Sequence, residues 1–417
     1  MNRRIWKALG IAVCMLALAA PRAMAETNSH YVSDGRSFKK AIETINNSKD
    51  KNENEIILMN GFTLEGDTTE YTLRRGTTTI KGEGNTITVN SGAGIKVTGG
   101  ETVLNLGAKG YDKKLTIDGN AKGAFITVSG GATAYMYENV TLQNRPSTDN
   151  ACVVIMGSNS VFNMHGGVIE KCSRAVIAGS GATFHMLSGK IEDCRAGGNR
   201  VISVNGGSKF IMDGGTISGC TTSEAGMGGG LYAYKSTITI SRGTIENNKA
   251  TYGGGVALIG VTKFEKPITN WTVIGNEAYE TGGTGGVGGG IHLENGSMDV
   301  SDGSNRIYNN KADRHGADIF LWNENAKIEL PIAANMNVNY HDSGIKIDNW
   351  YNDNPRYTPS ESGAVVEANK LLNGELSLVA SYKAIPMCTV TIDANGGVGG
   401  SGSQTVQKLS LIHISEP

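Results

Sequence analysis

One short phrase returns along the middle of this chain, and it limits the possible folds more than any other feature. It reads Thr116-Ile117-Asp118-Gly119-Asn120, then Thr141-Leu142-Gln143-Asn144, Val168-Ile169-Glu170-Lys171-Cys172, Lys190-Ile191-Glu192-Asp193-Cys194, Thr216-Ile217-Ser218-Gly219-Cys220, Thr244-Ile245-Glu246-Asn247-Asn248, Thr272-Val273-Ile274-Gly275-Asn276 and Arg306-Ile307-Tyr308-Asn309-Asn310. Each copy ends on Asn or Cys, and the steps between those end residues are 24, 28, 22, 26, 28, 28 and 34. A unit of that length cannot bury its own apolar side, so the copies must stack on one another.

Each repeat carries two more apolar pairs at period two. One set is Phe162/Met164, Phe184/Met186, Phe210/Met212, Ile238/Ile240 and Met298/Val300; the other is Val154/Met156, Val176/Ala178, Ile202/Val204, Leu231/Ala233, Val256/Leu258 and Ile291/Leu293. Period two sends alternate side chains to opposite faces of a strand. Three short strands per repeat describe one coil of a β-solenoid, and coils stacked about 4.8 Å apart turn each position into a ladder of like residues. A propeller blade needs roughly 40–45 residues and four strands, and the Leu-x-x-Leu-x-Leu frame of leucine-rich repeats is absent. The expected fold is all-β: a right-handed parallel β-helix with an N-terminal helical cap.

The end residues Asn120, Asn144, Cys172, Cys194, Cys220, Asn248, Asn276 and Asn310 are expected to form a structural ladder at one corner. A buried Asn there can bond its copies above and below. For Cys172, Cys194 and Cys220 three readings stand open: packed thiols, a Cys172–Cys194 or Cys194–Cys220 disulfide, or a metal site.

The ends differ from the middle. Residues 1–25 combine a basic start, an apolar run from Ala8 to Ala20 and Ala23-Met24-Ala25, the pattern of a signal peptide. Residues 26–55 are expected to form the cap, with Ser37 as N-cap of a helix from Phe38 to Ile45. Residues 56–321 form the β-helix, 322–387 a terminal β module or cap, and Cys388 to Lys408 the start of another module. Residues 409–417 fit nothing before them and resemble a translated sequencing adapter. Gly is 58 of 417 residues, Pro only 8, and the net charge is −1. That composition suits many short strands and tight turns, and it excludes a polybasic nucleic-acid binder.

Gly228-Gly229-Gly230-Leu231-Tyr232 with Thr244-Ile245-Glu246-Asn247-Asn248, and Gly288-Gly289-Gly290-Ile291 with Tyr308-Asn309-Asn310, resemble the coils of pectin-lyase-like right-handed β-helices. They are also similar to the repeats of chlamydial polymorphic membrane proteins, and to β-helix surface proteins of gut Firmicutes. Thr389 to Gly397 resembles the first strand and turn of an internalin-type B repeat. These resemblances imply a secreted protein, held at the cell surface or wall, that acts in adhesion or display without catalysis. The implied partner is a host or neighbouring-cell surface protein or a glycan, with no nucleic acid and no membrane span in the mature chain. A carbohydrate-active enzyme and a non-catalytic carbohydrate-binding protein are the alternatives.

No catalytic residue, metal ligand or cofactor motif is expected. The Asn-Thr-Asp, Asp-Asp and Gly-His-Gly pattern of β-helix hydrolases is missing, as is the acidic cluster of the lyases. Asp299 and Asp302 flank the turn Ser301-Asp302-Gly303-Ser304. The stretch from Gly282 to Gly290 lacks the Lys-Ser/Thr of a phosphate loop and the Asp of a calcium nonapeptide, which leaves flexible turn glycine. His165, His185, His292 and His315 share no column and are expected to face solvent. The spacing from the ladder residue to the next inward strand residue varies: 10, 4, 8, 11, 8 and 15 residues, the first counted from Asn144 to Val154. Insertions in solenoids gather on one face, often the working one. Tyr252, Tyr279, Arg314 and His315 lie on those loops and are the candidate ligand-binding residues.

Overall fold

The computed structural model describes residues 27–49, 53–90, 92–119, 122–146, 150–197, 200–223, 225–265 and 267–336, and then 347, 349–353, 365–366, 368, 371–373, 376–381, 387–392 and 402–407. The expected leader, Asn120 and residues 409–417 lie outside them.

Strands stack in parallel from Thr27–Val32 to Ala326–Glu329, building a β-solenoid of about 11 turns. The register follows the apolar pattern. Phe162 pairs with Phe184 and Phe184 with Phe210, while Met164, Met186 and Met212 pair alongside. All six are fully buried, and the phenyl centroids stand 6.0 and 5.5 Å apart. Ring contacts of this kind add about 0.5–1.5 kcal/mol each beyond area burial.

One coil departs from the expected register. Val153 and Ile155 face inward there, and Val154 and Met156 face out. A slip of one residue exchanges the two faces of a strand, and here the inward face follows from Val153 pairing with Val176. The same coil corrects the ladder. Leu142 pairs with Ile169, which puts Arg145, not Asn144, level with Cys172. Asn144 is exposed with φ +59. It belongs to a neighbouring column of left-handed residues that includes Lys171, Asp193, Gly219, Asn247, Gly275 and Asn309. That backbone turn aims the next residue inward at every coil. Asn and Asp tolerate it better than most side chains, and Gly best.

The N-terminal cap begins inside the solenoid. Thr27–Val32 pairs in register with Glu53–Leu58, so the first rung precedes the helix. The helix Gly35–Asn47 is an insertion between two rungs. Its N-cap is Asp34, whose carboxylate accepts from Ser37 N at 2.6 Å, while Ser37 Oγ accepts from Asp34 N at 3.1 Å. Ser37 is therefore the reciprocal partner of a capping box rather than the cap itself. Phe38, Ala41, Ile42 and Ile45 lie on one face and seal the core's end. At the other end, strands turn antiparallel. Leu376–Ser381 pairs with Ile319–Leu321, and Leu371–Asn373 pairs with Ala326–Glu329. Met387–Ile392 and Gly402–Gln407 form a separate antiparallel strand pair.

From Asn248 on, the ladder is continuous. Asn248 Oδ1 accepts from Cys220 N, and Asn276 Oδ1 accepts from both N and Nδ2 of Asn248. Asn310 Oδ1 does the same for Asn276. The glycines beside this ladder are not flexible turns. A Cβ at Gly290 would stand 2.9 Å from Asn310 Nδ2, and one at Gly289 would stand 2.2 Å from the Lys311 carbonyl and 2.4 Å from that of Ala317. Gly289→Ala is expected to cost at least about 1–3 kcal/mol, because only backbone opposes the methyl. Gly100→Ala, where nothing lies within 4 Å, should be near neutral. Equal melting temperatures for the two variants would contradict this packing.

Candidate functional site

The variable loops do gather on one flank. Directly after the ladder residue, Arg195–Gly197, Thr221–Ser223, Lys249–Ala250, Glu277–Ala278 and Lys311–Ala312 form their own parallel sheet. The loops then diverge and rejoin at the column Met227, Tyr252, Val287 and His315. The longest one folds back on itself. Glu280–Thr281 pairs antiparallel with Thr284–Gly285 around Gly282 and Gly283, both at positive φ, as a two-residue hairpin turn requires.

That hairpin, the rejoining column and the outer face of the last strands enclose a pocket of about 510 Å³. Its lining is Tyr252, Thr284, Gly285, Val287, Arg314, His315, Phe320 and Trp322. Period two explains the floor: Ile319 and Leu321 point inward, so Phe320 and Trp322 point out. Phe320 pairs with His292 on the adjacent rung. The rings interlock around His292, which stands 5.7 Å from Tyr252 edge-on, 5.5 Å from Phe320 and 5.7 Å from Trp322. His315 meets Phe320 edge-on at 5.1 Å. Trp322 keeps 48 % of its surface open.

Burial pushes the His292 imidazole down to about 4, so at neutral pH it is an uncharged ring packed beneath the aromatic lining. The expectation of solvent-facing histidines fails for His292 and His315, which are 2 % and 6 % exposed; aromatic neighbours cover both. The pocket's formal charge sits at the rim on the exposed Arg314. Asp313 beside it points elsewhere, accepting from Glu280 N at 3.0 Å. Asp353 lies behind His315, where it accepts from Gly316 N at 2.7 Å and Ala317 N at 3.0 Å.

Of the candidate ligand residues, the fold brings Tyr252, Arg314 and His315 together. Tyr279 stands apart, its hydroxyl donating to the Thr222 carbonyl at 2.6 Å, where it braces the flank sheet. Asp299 and Asp302 accept from Ser301 N and Ser304 N, as turn carboxylates do. Sequence reasoning missed Phe320 and Trp322. Their signal was present in the alternation Ile319-Phe320-Leu321-Trp322, two apolar faces on one strand, which marks an outer face that something covers.

The corner column holds a second group. Arg145, Cys172, Cys194 and Cys220 follow one another in it, and Cys152 adjoins Cys172 from the next segment. All four cysteines are buried free thiols. Arg145 is fully buried; its Nε donates to the Gly123 carbonyl at 2.9 Å and its Nη2 to that of Lys122 at 2.9 Å. No three His, Cys, Asp or Glu residues among the described ones are arranged to hold a metal ion.

No protein-family profile matches the chain, and neither the curated proteins nor the solved structures contain a match.

Proposed function

We propose that this chain is a secreted, surface-displayed recognition protein that binds a glycan without chemically altering it. The observation that carries the reading is the pocket of interlocked rings, Tyr252, Phe320 and Trp322, open beside the Arg314 guanidinium. Flat apolar faces with a few placed polar groups suit the alternating CH and OH faces of a sugar ring. The lining offers rings, one guanidinium and one imidazole. Hydrolysis by a pair of carboxyls needs two of them flanking the bond, and the lining supplies rings in their place. A rigid solenoid presenting such a pocket on its flank suits display at a surface. The adhesive role implied by the coil resemblance rests on the same pocket. The leader pattern at residues 1–25 supports export. No helix among the described residues is long and apolar enough to cross a membrane.

A glycan array screened with the intact protein, followed by titration calorimetry, tests this. Trp322→Ala is expected to weaken the best glycan at least about tenfold, equivalent to 1.4 kcal/mol, while Tyr279→Phe leaves it unchanged. Absence of any glycan binding, or equal affinity in Trp322→Ala, would rule out this site. Release of shorter saccharides from a bound polymer would refute the non-catalytic reading.

A further inference from the structure

The cysteine column meets the surface at one place. The coil that carries Cys172 has the shortest corner of the series, only Ser173, Arg174 and Ala175 before the inward Val176. It has no strand in the flank sheet, whose edge is Arg195–Gly197 one coil further on. The missing strand leaves a notch of about 290 Å³ lined by Pro146, Lys171, Cys172, Ser173, Asp193 and Arg195. Cys172 is 2 % exposed, whereas Cys152, Cys194 and Cys220 are fully enclosed. Lys171 and Arg195 stand exposed at the notch, and the buried Arg145 lies one coil below in the same column.

We propose that this notch is a thiol–disulfide exchange site, in which Cys172 is the entry thiol, Cys194 the resolving thiol, and a small disulfide of the low-molecular-weight thiol class the substrate. The placement of the two cysteines suits the chemistry. Val168, Ile169 and Glu170 pair in parallel register with Lys190, Ile191 and Glu192, and Arg195 N donates to the Cys172 carbonyl at 2.9 Å. Cys172 and Cys194 are therefore direct neighbours on adjacent rungs. Rungs about 4.8 Å apart lie inside the Cα separation of roughly 4.4–6.8 Å that a disulfide spans.

The thiolate is the attacking species, and the surroundings favour it at Cys172. As a thiol, Cys172 donates to the Glu170 carbonyl at 3.1 Å. Hydrogen bonding from Cys152, then Cys194, followed by the Arg145 amide and the guanidinium charge, holds the Cys172 thiol below its ordinary range against the opposing effect of burial. Burial, then the bond to Cys172, pushes Cys152 up, and the bonds to Cys172 and Cys220, then burial, push Cys194 up. The column thus favours the thiolate at the cysteine beside the notch over Cys152 and Cys194.

The exchange balances in two steps. The Cys172 thiolate attacks one sulfur of RS–SR, forming Cys172–S–S–R and expelling RS⁻. That thiolate takes the Cys194 proton, and the Cys194 sulfur attacks Cys172, expelling the second RS⁻. Two electrons pass from the protein to the small disulfide, and the product is a Cys172–Cys194 bridge between coils.

The test uses the intact, natively folded protein with Ellman's reagent, an aromatic disulfide that releases one coloured thiolate per exchange step, and peptide mass mapping of the product. Two equivalents released from the interior thiols, with a Cys172–Cys194 bridge in the map, are expected. Cys194→Ser should release one equivalent and retain the probe on Cys172. Labelling of Cys172 at least tenfold faster than of Cys152 or Cys220 is expected in that variant. An interior that stays unlabelled until the protein is denatured would overturn the proposal, as would a map in which another buried cysteine reacts first. Both of those outcomes are read on the unsubstituted protein, so neither depends on a variant that folds.

Discussion

Asn276→Ala is expected to destabilise the solenoid by roughly 3–5 kcal/mol, as two or more buried polar groups lose partners at about 1–3 kcal/mol each. Asn276 is fully buried. Its Oδ1 is the acceptor for both Asn248 N and Asn248 Nδ2, each at 3.0 Å. Its Nδ2 donates to Asn310 Oδ1 at 2.9 Å and to the Ile245 carbonyl at 3.0 Å. Alanine removes the acceptor from the coil below, withdraws a donor from that coil's Ile245 carbonyl, and leaves a cavity. Each coil contacts only its neighbours, so the damage should appear first around residues 248–310 in hydrogen exchange. Chemical denaturation measures the total. A loss below 1 kcal/mol would mean that the ladder is a consequence of stacking and not one of its supports.

The contribution of Asp318 to stability should fall as pH rises from about 4 to 7, and Asp318→Asn should remove that part of the pH dependence. The ladder needs an end. Asn310 has no next Asn, and Asp318 Oδ1 takes both its N at 3.0 Å and its Nδ2 at 2.9 Å. Asp318 Oδ2 accepts from Ala380 N at 2.8 Å, which joins the C-terminal strands to the last coil. Burial pushes Asp318 up to about 7 from 3.8, with the nearby Asp353 contributing in the same sense. Between those two values the folded state holds a proton that the unfolded chain has given up. Stability from this group is fully present below about pH 4 and is lost as pH rises through 7, by as much as roughly 4 kcal/mol in all. His292 acts the opposite way: with its folded value near 4 against 6.5, its contribution is lost as pH falls below 6.5. Comparing the variant with the parent isolates Asp318. Asparagine keeps an acceptor for Asn310 but turns an NH2 towards Ala380 N, so Asp318→Asn should be the less stable form at pH 4 and the more stable at pH 8. Melting curves that stay parallel across that range would show that Asp318 does not titrate there.

Much of the fold was legible because a β-coil is encoded locally. Phe184/Met186 and Phe210/Met212 state their inward face by period two alone, and like residues at coil spacing state the stacking. The reading slipped where a phrase was one residue short: Thr141-Leu142-Gln143-Asn144 ends a position early, and Arg145 takes the place read as Asn144. A fully buried guanidinium is so rare that composition alone argues for the Asn. The flank was legible as a face, since unequal loops cannot lie in the core. Its pocket was only half legible. Tyr252, Arg314 and His315 sit on loops, where function is sought, whereas Phe320 and Trp322 sit on a strand whose apolar residues read as core.

By itself, the sequence determined the coil period, the inward faces of every coil but that of Val153–Met156, and the small polar or thiol character of the corner from Cys172 on, because each depends on a few consecutive residues. Tertiary structure decided what meets: Asp318 as the end of the Asn ladder, Arg145 beneath three stacked thiols, the notch at Cys172, and a pocket assembled from residues 252 to 322. Those meetings depend on inter-coil register and on where loops of unequal length rejoin the stack. Both are fixed by hydrogen bonds between segments 22 or more residues apart, which no local pattern records.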